Sequence, residues 1–324
     1  MLKVLEASIL HLVRYQLSPV TDVHQFAYKR KRSTLDAVAC LAETVMSSLD
    51  KGCRQFKCIF FDFSSAFSTI PRQRLLTELS TPDFPPWLVP WLHNYFLDRS
   101  QFTSAGGKQS SSRTNNCGVP QGAVLSPTLF TFFTRSLHHP DVAIFQKYAD
   151  DVVIGHPAKS ADDYEKLGLV VHYVKSWSDD RGLILNPTKS VQCTFSLKRP
   201  TSIRAVTLTE ADPIAEVSSV KYLGVSFDSN TSWGSQVSHV FHKCLRLSFY
   251  VKRLRHLCVP HPVICRFVDA CVIPVITYCS PVIFPGLRQQ DFRTLKRAIK
   301  IISSSTSAME SHSPPLSTKS LKPT

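Results

Sequence analysis

Asp62 closes a short apolar run, and Asp150 and Asp151 stand side by side far downstream between two more apolar runs. A lone aspartate at the end of one strand and an aspartate pair at the tip of a hairpin form an oxygen-only donor set. Hard divalent cations take such sets, magnesium keeping its remaining positions for water and substrate phosphates. Two such cations about 3.5–4 Å apart can clamp both the attacking and the leaving oxygen of a nucleotidyl transfer. The competing account is a solvated turn, because aspartate favours turns through local hydrogen bonds.

The elements that must position these residues are legible from periodicity. The run at 58–63 has the length and aromatic content of a buried strand ending at Asp62. Residues 143–154 alternate on both sides of Ala149 and Asp150, which predicts a hairpin with its acidic pair at the tip. Helices are predicted over 1–17, 34–49, 87–97 and 123–137, and from Ser160 to a stop at Gly182, with Asp162, Asp163 and Glu165 suiting the helix dipole. Residues 101–116, with Gly106 and Gly107 central, predict a second hairpin, and short strands continue to Phe227. This order gives an α+β sheet with helices on one face. A later helix carries Val237, Val240, Phe241, Cys244, Leu247, Val251 and Leu254 in one stripe, with Lys243, Arg246, Lys252, Arg253 and Arg255 elsewhere. No acidic residue occurs from Ser229 to Val268, unlike a merely solvated face, where both signs mix. A phosphate-tracking surface is the expectation.

With 324 residues and 43% hydrophobic content, the chain can bury a substantial core in one large domain or a few small ones. The 38 Lys and Arg against 24 Asp and Glu give a formal charge of +14, which favours anionic partners such as nucleic acid or an anionic membrane surface. The apolar stretches at 123–133 and 270–285 read as too short or too proline-broken to span a bilayer, and no signal peptide opens the chain. An intracellular protein without a membrane partner is expected, in the nucleus or the cytoplasm. The ten cysteines include no C-x-x-C pair and read as free thiols. Residues 303–324, rich in Ser and Pro, lack the periodicity needed to pack and are expected to be disordered.

Taken in order, FDFSSAF at 61–67, GVPQGAVLSP at 118–127, YADD at 148–151, LNPTKS at 185–190 and YLGVSFD at 222–228 resemble the successive palm motifs of reverse transcriptases. The resemblance is in particular to non-LTR (LINE-type) retrotransposons, where QFAYKRKRSTLDAV at 25–38 is similar to an additional fingers motif, and it covers residues 1–303. It implies a right-hand polymerase with incomplete fingers at 1–56, a palm with an antiparallel sheet at 57–230 and a helical thumb at 231–302. The implied activity is RNA-directed DNA polymerisation within a retrotransposon-derived protein. A DNA primer would be extended on an RNA template from dNTPs with two Mg²⁺ ions, for which Mn²⁺ can substitute.

The same resemblance implies roles for particular residues. Asp62, Asp150, Asp151 and the carbonyl of Phe63 would ligate the metals. Lys189 would protonate or neutralise the pyrophosphate, although a solvated lysine after Pro187 fits nearly as well. Phe67 matches the bulky gate beneath the incoming sugar, against the plainer reading of a core aromatic. Pro120, Gln121 and Gly122 match the segment that lies against the incoming nucleotide and template base. Tyr222, Leu223 and Gly224 match the hairpin that grips the primer end, and Lys243, Arg246, Lys252 and Arg253 would rest on the duplex backbone. Lys31 and Arg32, in the basic cluster 29–32, fit template contact, a nuclear localisation signal or solvated charge. Early fingers motifs that the family places upstream, including an arginine that holds the triphosphate, are not seen, nor are an endonuclease domain or a zinc knuckle. The chain therefore resembles a polymerase truncated at its N-terminus. Two further readings are a catalytically impaired nucleic-acid-binding relic and an RNA-dependent RNA polymerase, against which the bulk of Phe67 argues.

Overall fold

Phe56 to Phe61 form a strand buried along its whole length, and the sheet is built outward from it. The structure is a computed structural model that describes residues 2–13, 22–198, 206–208 and 213–306. In chain order the helices are α1 (Leu2–Val13), α2 (Thr34–Asp50), α3 (Ala66–Thr69), α4 (Arg72–Leu79), α5 (Leu88–Phe96), α6 (Ser126–Phe133), α7 (Ala161–Asp180), α8 (Gly234–His256), α9 (His261–Phe267), α10 (Ile273–Thr277), α11 (Ser280–Ile283) and α12 (Gln289–Thr306). The strands are β1 (Phe56–Phe61), β2 (Ser100–Gln101), β3 (Ser104–Ala105), β4 (Lys108–Gln109), β5 (Arg113–Thr114), β6 (Ile144–Tyr148), β7 (Asp151–Pro157), β8 (Val191–Phe195), β9 (Ala215–Glu216), β10 (Ser219–Tyr222) and β11 (Val225–Asp228). They fall into two compact units that interleave in sequence. The first takes 1–37, 56–192 and 202–216, the second 38–55, 193–201 and 217–324.

The main sheet runs β6-β7-β1-β8-β9, with β6 antiparallel to β7, β7 antiparallel to β1 and β9 parallel to β8. Alternation along β1 sends Ile59 and Phe61, then Phe63, into one core with Val152 and Ile154 of β7. Leu75 of α4, Leu92 of α5, Leu129 and Phe133 of α6 and Val171 of α7 cover that face. Each such burial contributes about 1.5–3 kcal/mol. The opposite face of β1 carries Cys58, Phe60 and then Asp62.

Several local expectations meet their physical limits here. The helix expected over 123–137 is shorter, Ser126–Phe133, with Pro127 in its first turn and the Val124 amide just upstream donating to the Glu6 carboxylate. The hairpin at 101–116 forms as two short pieces, β2 with β5 and β3 with β4, turning at Gly106 and Gly107, both at positive φ. Ser160 and Asp163 close a capping box on α7, and Gly182 ends that region at φ +69. Of the helix expected at 1–17, residues 14–17 lie outside the described residues.

In the second unit β10 and β11 form a tight hairpin, and α12 packs along α8. The Asp228 carboxylate receives the Ser235 amide at 3.0 Å and the Ser232 hydroxyl at 3.1 Å, so the strand end anchors the first turn of α8. One expectation is corrected. By length and composition His261–Gly286 is long and apolar enough to cross a membrane, so the stretch is not too short. It is not one regular helix, however. It passes through a π-helical segment at Val268–Val272 and breaks at Tyr278 and Cys279, the latter at φ +53. Residues 303–306, expected to be disordered, continue α12, whose amphipathic repeat extends farther than the Ser-rich composition suggests. The rest of that tail lies outside the described residues.

Candidate active site

Residue pairing along β1 and β7 ends at Phe61 with Val152, so the next step along the ladder sets Asp62 beside Asp151. Residues opposite each other share a sheet face, so both carboxylates project from the face of Phe60 and Val153 rather than into the helix-covered core. The β6–β7 hairpin closes at Tyr148 with Asp151, leaving Ala149 and Asp150 as its two-residue loop. Ala149 has φ +56, a left-handed conformation that costs an L-residue roughly 1–2 kcal/mol. Burial, and then the Asp62 charge, push the Asp150 carboxyl above its ordinary range. Asp151 opens to solvent on one side, yet the surrounding protein raises it to about 6, with Asp150 and then Asp62 adding like-charge repulsion. Asp62 Oδ2 is buried and lacks a hydrogen-bond donor.

Asp62 is fixed from its other side. Its carbonyl accepts the Asn186 amide at 2.8 Å, its amide donates to Ser190 Oγ at 3.2 Å, and the Ser64 amide donates to the Ile184 carbonyl at 2.8 Å. Phe63 bridges Leu185 between these bonds, so its own carbonyl is directed to the opposite edge, the side of β7. Asn186 Oδ1 caps the amides of Thr188 and Lys189, and this turn holds Lys189 Nζ 3.8 Å from Asp62 Oδ2. Among the described residues no three His, Cys, Asp or Glu side chains close into a finished metal cage. The acidic set of Asp62, Asp150 and Asp151 offers only carboxylate oxygens. Its all-oxygen chemistry and the orphaned Asp62 oxygen fit a hard divalent ion.

Phe67 stacks on Phe130 with ring centroids 4.3 Å apart and is partly buried. Its carbonyl accepts the Val119 amide at 2.8 Å, which ties it to the loop of Pro120, Gln121 and Gly122. Gly118, at φ +73, lies so close that a Cβ there would stand 2.5 Å from Ser68 Cα and 2.6 Å from the Phe67 carbonyl oxygen. Gln121 is exposed and donates from Nε2 to Ser68 Oγ at 3.3 Å, and Gly122 takes φ +77.

Other residues fasten the site without having been assigned a role from the sequence. Arg72 donates to the Gly118 carbonyl at 2.8 Å and to the Asn115 carbonyl at 2.5 Å, and buried Glu6 accepts the Val124 amide at 2.6 Å and the Tyr95 hydroxyl at 2.7 Å. Gln25 Oε1 accepts the Ala149 amide at 3.0 Å. Lys147 forms a fully buried ion pair with Asp22 at 2.9 Å. A lysine buried in a strand demands such a partner. Lys31 and Arg32 are exposed on the turn after Gln25, with Arg32 over the Phe26 ring.

The remaining expected residues belong to the second unit. Leu223 and Gly224, at φ +46 and +82, form the β10–β11 turn, and the Leu223 carbonyl accepts the Tyr278 hydroxyl at 2.7 Å. Tyr222 is buried at 3% exposure, so its side chain is engaged in the interior. On α8, Lys243, Arg246, Lys252 and Arg253 are exposed, interleaved with exposed Phe249 and Tyr250. Burial, followed by repulsion from Lys221, Lys243 and Arg246, holds His239 below its ordinary range.

The family model described as reverse transcriptase (RNA-dependent DNA polymerase) matches residues 1–227. The chain belongs to this family. The probable RNA-directed DNA polymerase from transposon BS of Drosophila melanogaster is 26% identical over 234 residues, 68% of this chain and 25% of that protein. The RNA-directed DNA polymerase from mobile element jockey of Drosophila funebris is 24% identical over 256 residues, 74% of this chain and 27% of that protein. The chain thus spans about a quarter of the length of these relatives. A solved structure of apo telomerase from Candida tropicalis is similar over 93% of this chain and 55% of that one, at 12% identity and a TM-score of 0.46. The reverse transcriptase family expected from the motifs holds, and the fold is the expected mixture of helices and a central sheet.

Proposed function

We propose that this reverse transcriptase domain extends a DNA primer on an RNA template by two-metal nucleotidyl transfer. The observation that carries the proposal is the β1–β7 ladder, which ends at Phe61 opposite Val152 and so brings Asp62 towards Asp151, with Asp150 in the loop between β6 and β7. Asp62, Asp150, Asp151 and the Phe63 carbonyl would hold two Mg²⁺ ions, or Mn²⁺ in their place. When bound, such ions lower the pKa of the primer hydroxyl and neutralise charge on the leaving pyrophosphate. Lys189, held above Asp62 by the Asn186 turn, would place a proton or a positive charge at the pyrophosphate. Phe67, backed by Phe130, would present a rigid ring to the 2′ position of the sugar, and the Pro120 to Gly122 loop would lie along the nucleotide. The exposed cations of α8 and the Leu223–Gly224 turn would track the duplex, with Lys31 and Arg32 on the template.

The test is primer extension on an RNA template with dNTPs and Mg²⁺, set against a chain carrying Asp150→Asn and Asp151→Asn. Extension abolished by the double substitution, with duplex binding retained, is the expected result. Equal extension by both chains would remove the carboxylates from the chemistry, and preferential use of NTPs would change the substrate class.

A further inference from the structure

The strained loop of the acidic hairpin is held by a residue outside the catalytic set. Ala149 occupies a position where a two-residue loop ordinarily uses glycine, asparagine or aspartate, and nothing in an alanine side chain favours its φ of +56. Such strain persists only where the surroundings over-determine it. Gln25 supplies that determination. Its side chain is 1% exposed, and its Oε1 accepts both the Ala149 amide at 3.0 Å and the Ala27 amide at 3.0 Å.

The segment that carries Gln25 cannot retreat from the hairpin. The Phe26 amide donates to the Lys147 carbonyl at 2.8 Å, and the Lys147 amide donates to the His24 carbonyl at 2.8 Å, a short strand-like pairing along the edge of β6. On the core side, Lys147 Nζ pairs with Asp22 at 2.9 Å and donates to the Thr134 carbonyl at 2.7 Å, which fastens the same segment a second time. Gln25 Nε2 is buried without an acceptor, so the amide is retained despite an unsatisfied donor.

We propose that Gln25 is a positioning residue for nucleotidyl transfer: its side-chain carbonyl holds the Ala149 turn, and with it the aim of Asp150 and Asp151. This rests on the reading of those aspartates as metal ligands. Outer partners that orient ligands typically change metal affinity 10–100-fold when lost.

Gln25→Met keeps the length and stem of the side chain and removes the acceptor. In metal-free protein, amide hydrogen exchange across residues 148–152 should quicken about tenfold. Mn²⁺ binding, followed by calorimetry, should weaken about tenfold. Adding Ala149→Gly should restore Mn²⁺ affinity to within about threefold, because glycine adopts the left-handed turn without strain. Exchange should stay fast in that double variant, because its amide still lacks an acceptor. A merely structural role would not separate the two readouts. Unchanged exchange in Gln25→Met, or lost Mn²⁺ affinity that Ala149→Gly does not recover, overturns the proposal. If Gln25→Met does not fold, Gln25→Glu, which retains an accepting oxygen, must fold with slow exchange, and its failure reduces Gln25 to core packing. No Mn²⁺ binding by the unsubstituted chain would sink the ligand reading itself, and the exchange rates would still decide whether the brace exists.

Discussion

At the scale of single residues, the acidic cluster makes a pH prediction whose sign follows from its burial. Asp151 is raised to about 6, so the native state binds a proton there that the unfolded chain, near pKa 3.9, has already lost at the same pH. The stability carried by that proton is complete below the unfolded value and disappears as pH rises through about 6. Asp150 shifts in the same direction. Metal-free protein should therefore lose stability relative to Asp151→Asn between about pH 4 and pH 6 in denaturant titrations. A difference that stays flat across that window would mean that burial and the neighbouring carboxylates do not raise Asp151. Phe67 offers a second residue-scale test. Phe67→Val removes ring volume beneath the sugar and one face of the stack on Phe130, so ribonucleotide exclusion should relax while the melting midpoint falls with a stability loss of about 1–2 kcal/mol. Undiminished exclusion, with dNTP incorporation preserved, would dismiss the gate.

At the scale of elements, Gly118 is where the loop and the Phe67 turn meet. A Cβ at that position would press on backbone atoms that cannot swing away, and its φ of +73 is unfavourable for alanine. Gly118→Ala should destabilise the fold by at least about 2 kcal/mol. Gly122→Ala has the same backbone strain but open space around it, and should cost about 1 kcal/mol. Equal midpoints for the two variants in thermal unfolding would discount the close approach. These elements were unevenly legible in the sequence. The strand ending at Asp62, the hairpin around Ala149 and Asp150, the Gly106–Gly107 turn and the stop at Gly182 each follow from alternation or turn chemistry that acts within a few residues. Glu6, Arg72 and Gln25 could not be found that way, because their partners Val124, Gly118 and Ala149 are brought to them only by the finished fold. The helix over 126–133 was overextended because the apolar run read as helix continues past both of its ends.

At the scale of the whole molecule, a net charge of +14 and the exposed cations of α8 predict binding to primer–template duplex that weakens as salt rises. Replacing Lys243, Arg246 and Arg253 with alanine should flatten the slope of log affinity against log salt by about 0.9 per lost phosphate contact. An unaltered slope in filter-binding or anisotropy titrations would locate the electrostatic surface elsewhere. The interleaving of the two units has a different consequence, one that concerns biosynthesis. Residues 38–55 leave the ribosome early, yet the unit they belong to is completed only by residues from 193 onward. With about 140 residues still to be made and synthesis running at about 5–20 residues per second, α2 must wait roughly 7–30 seconds for its partners. During that interval its apolar side, including Leu41, Val45 and Leu49, is a natural site for chaperone capture, and slowing translation between the two segments should raise the aggregated fraction of newly made chain.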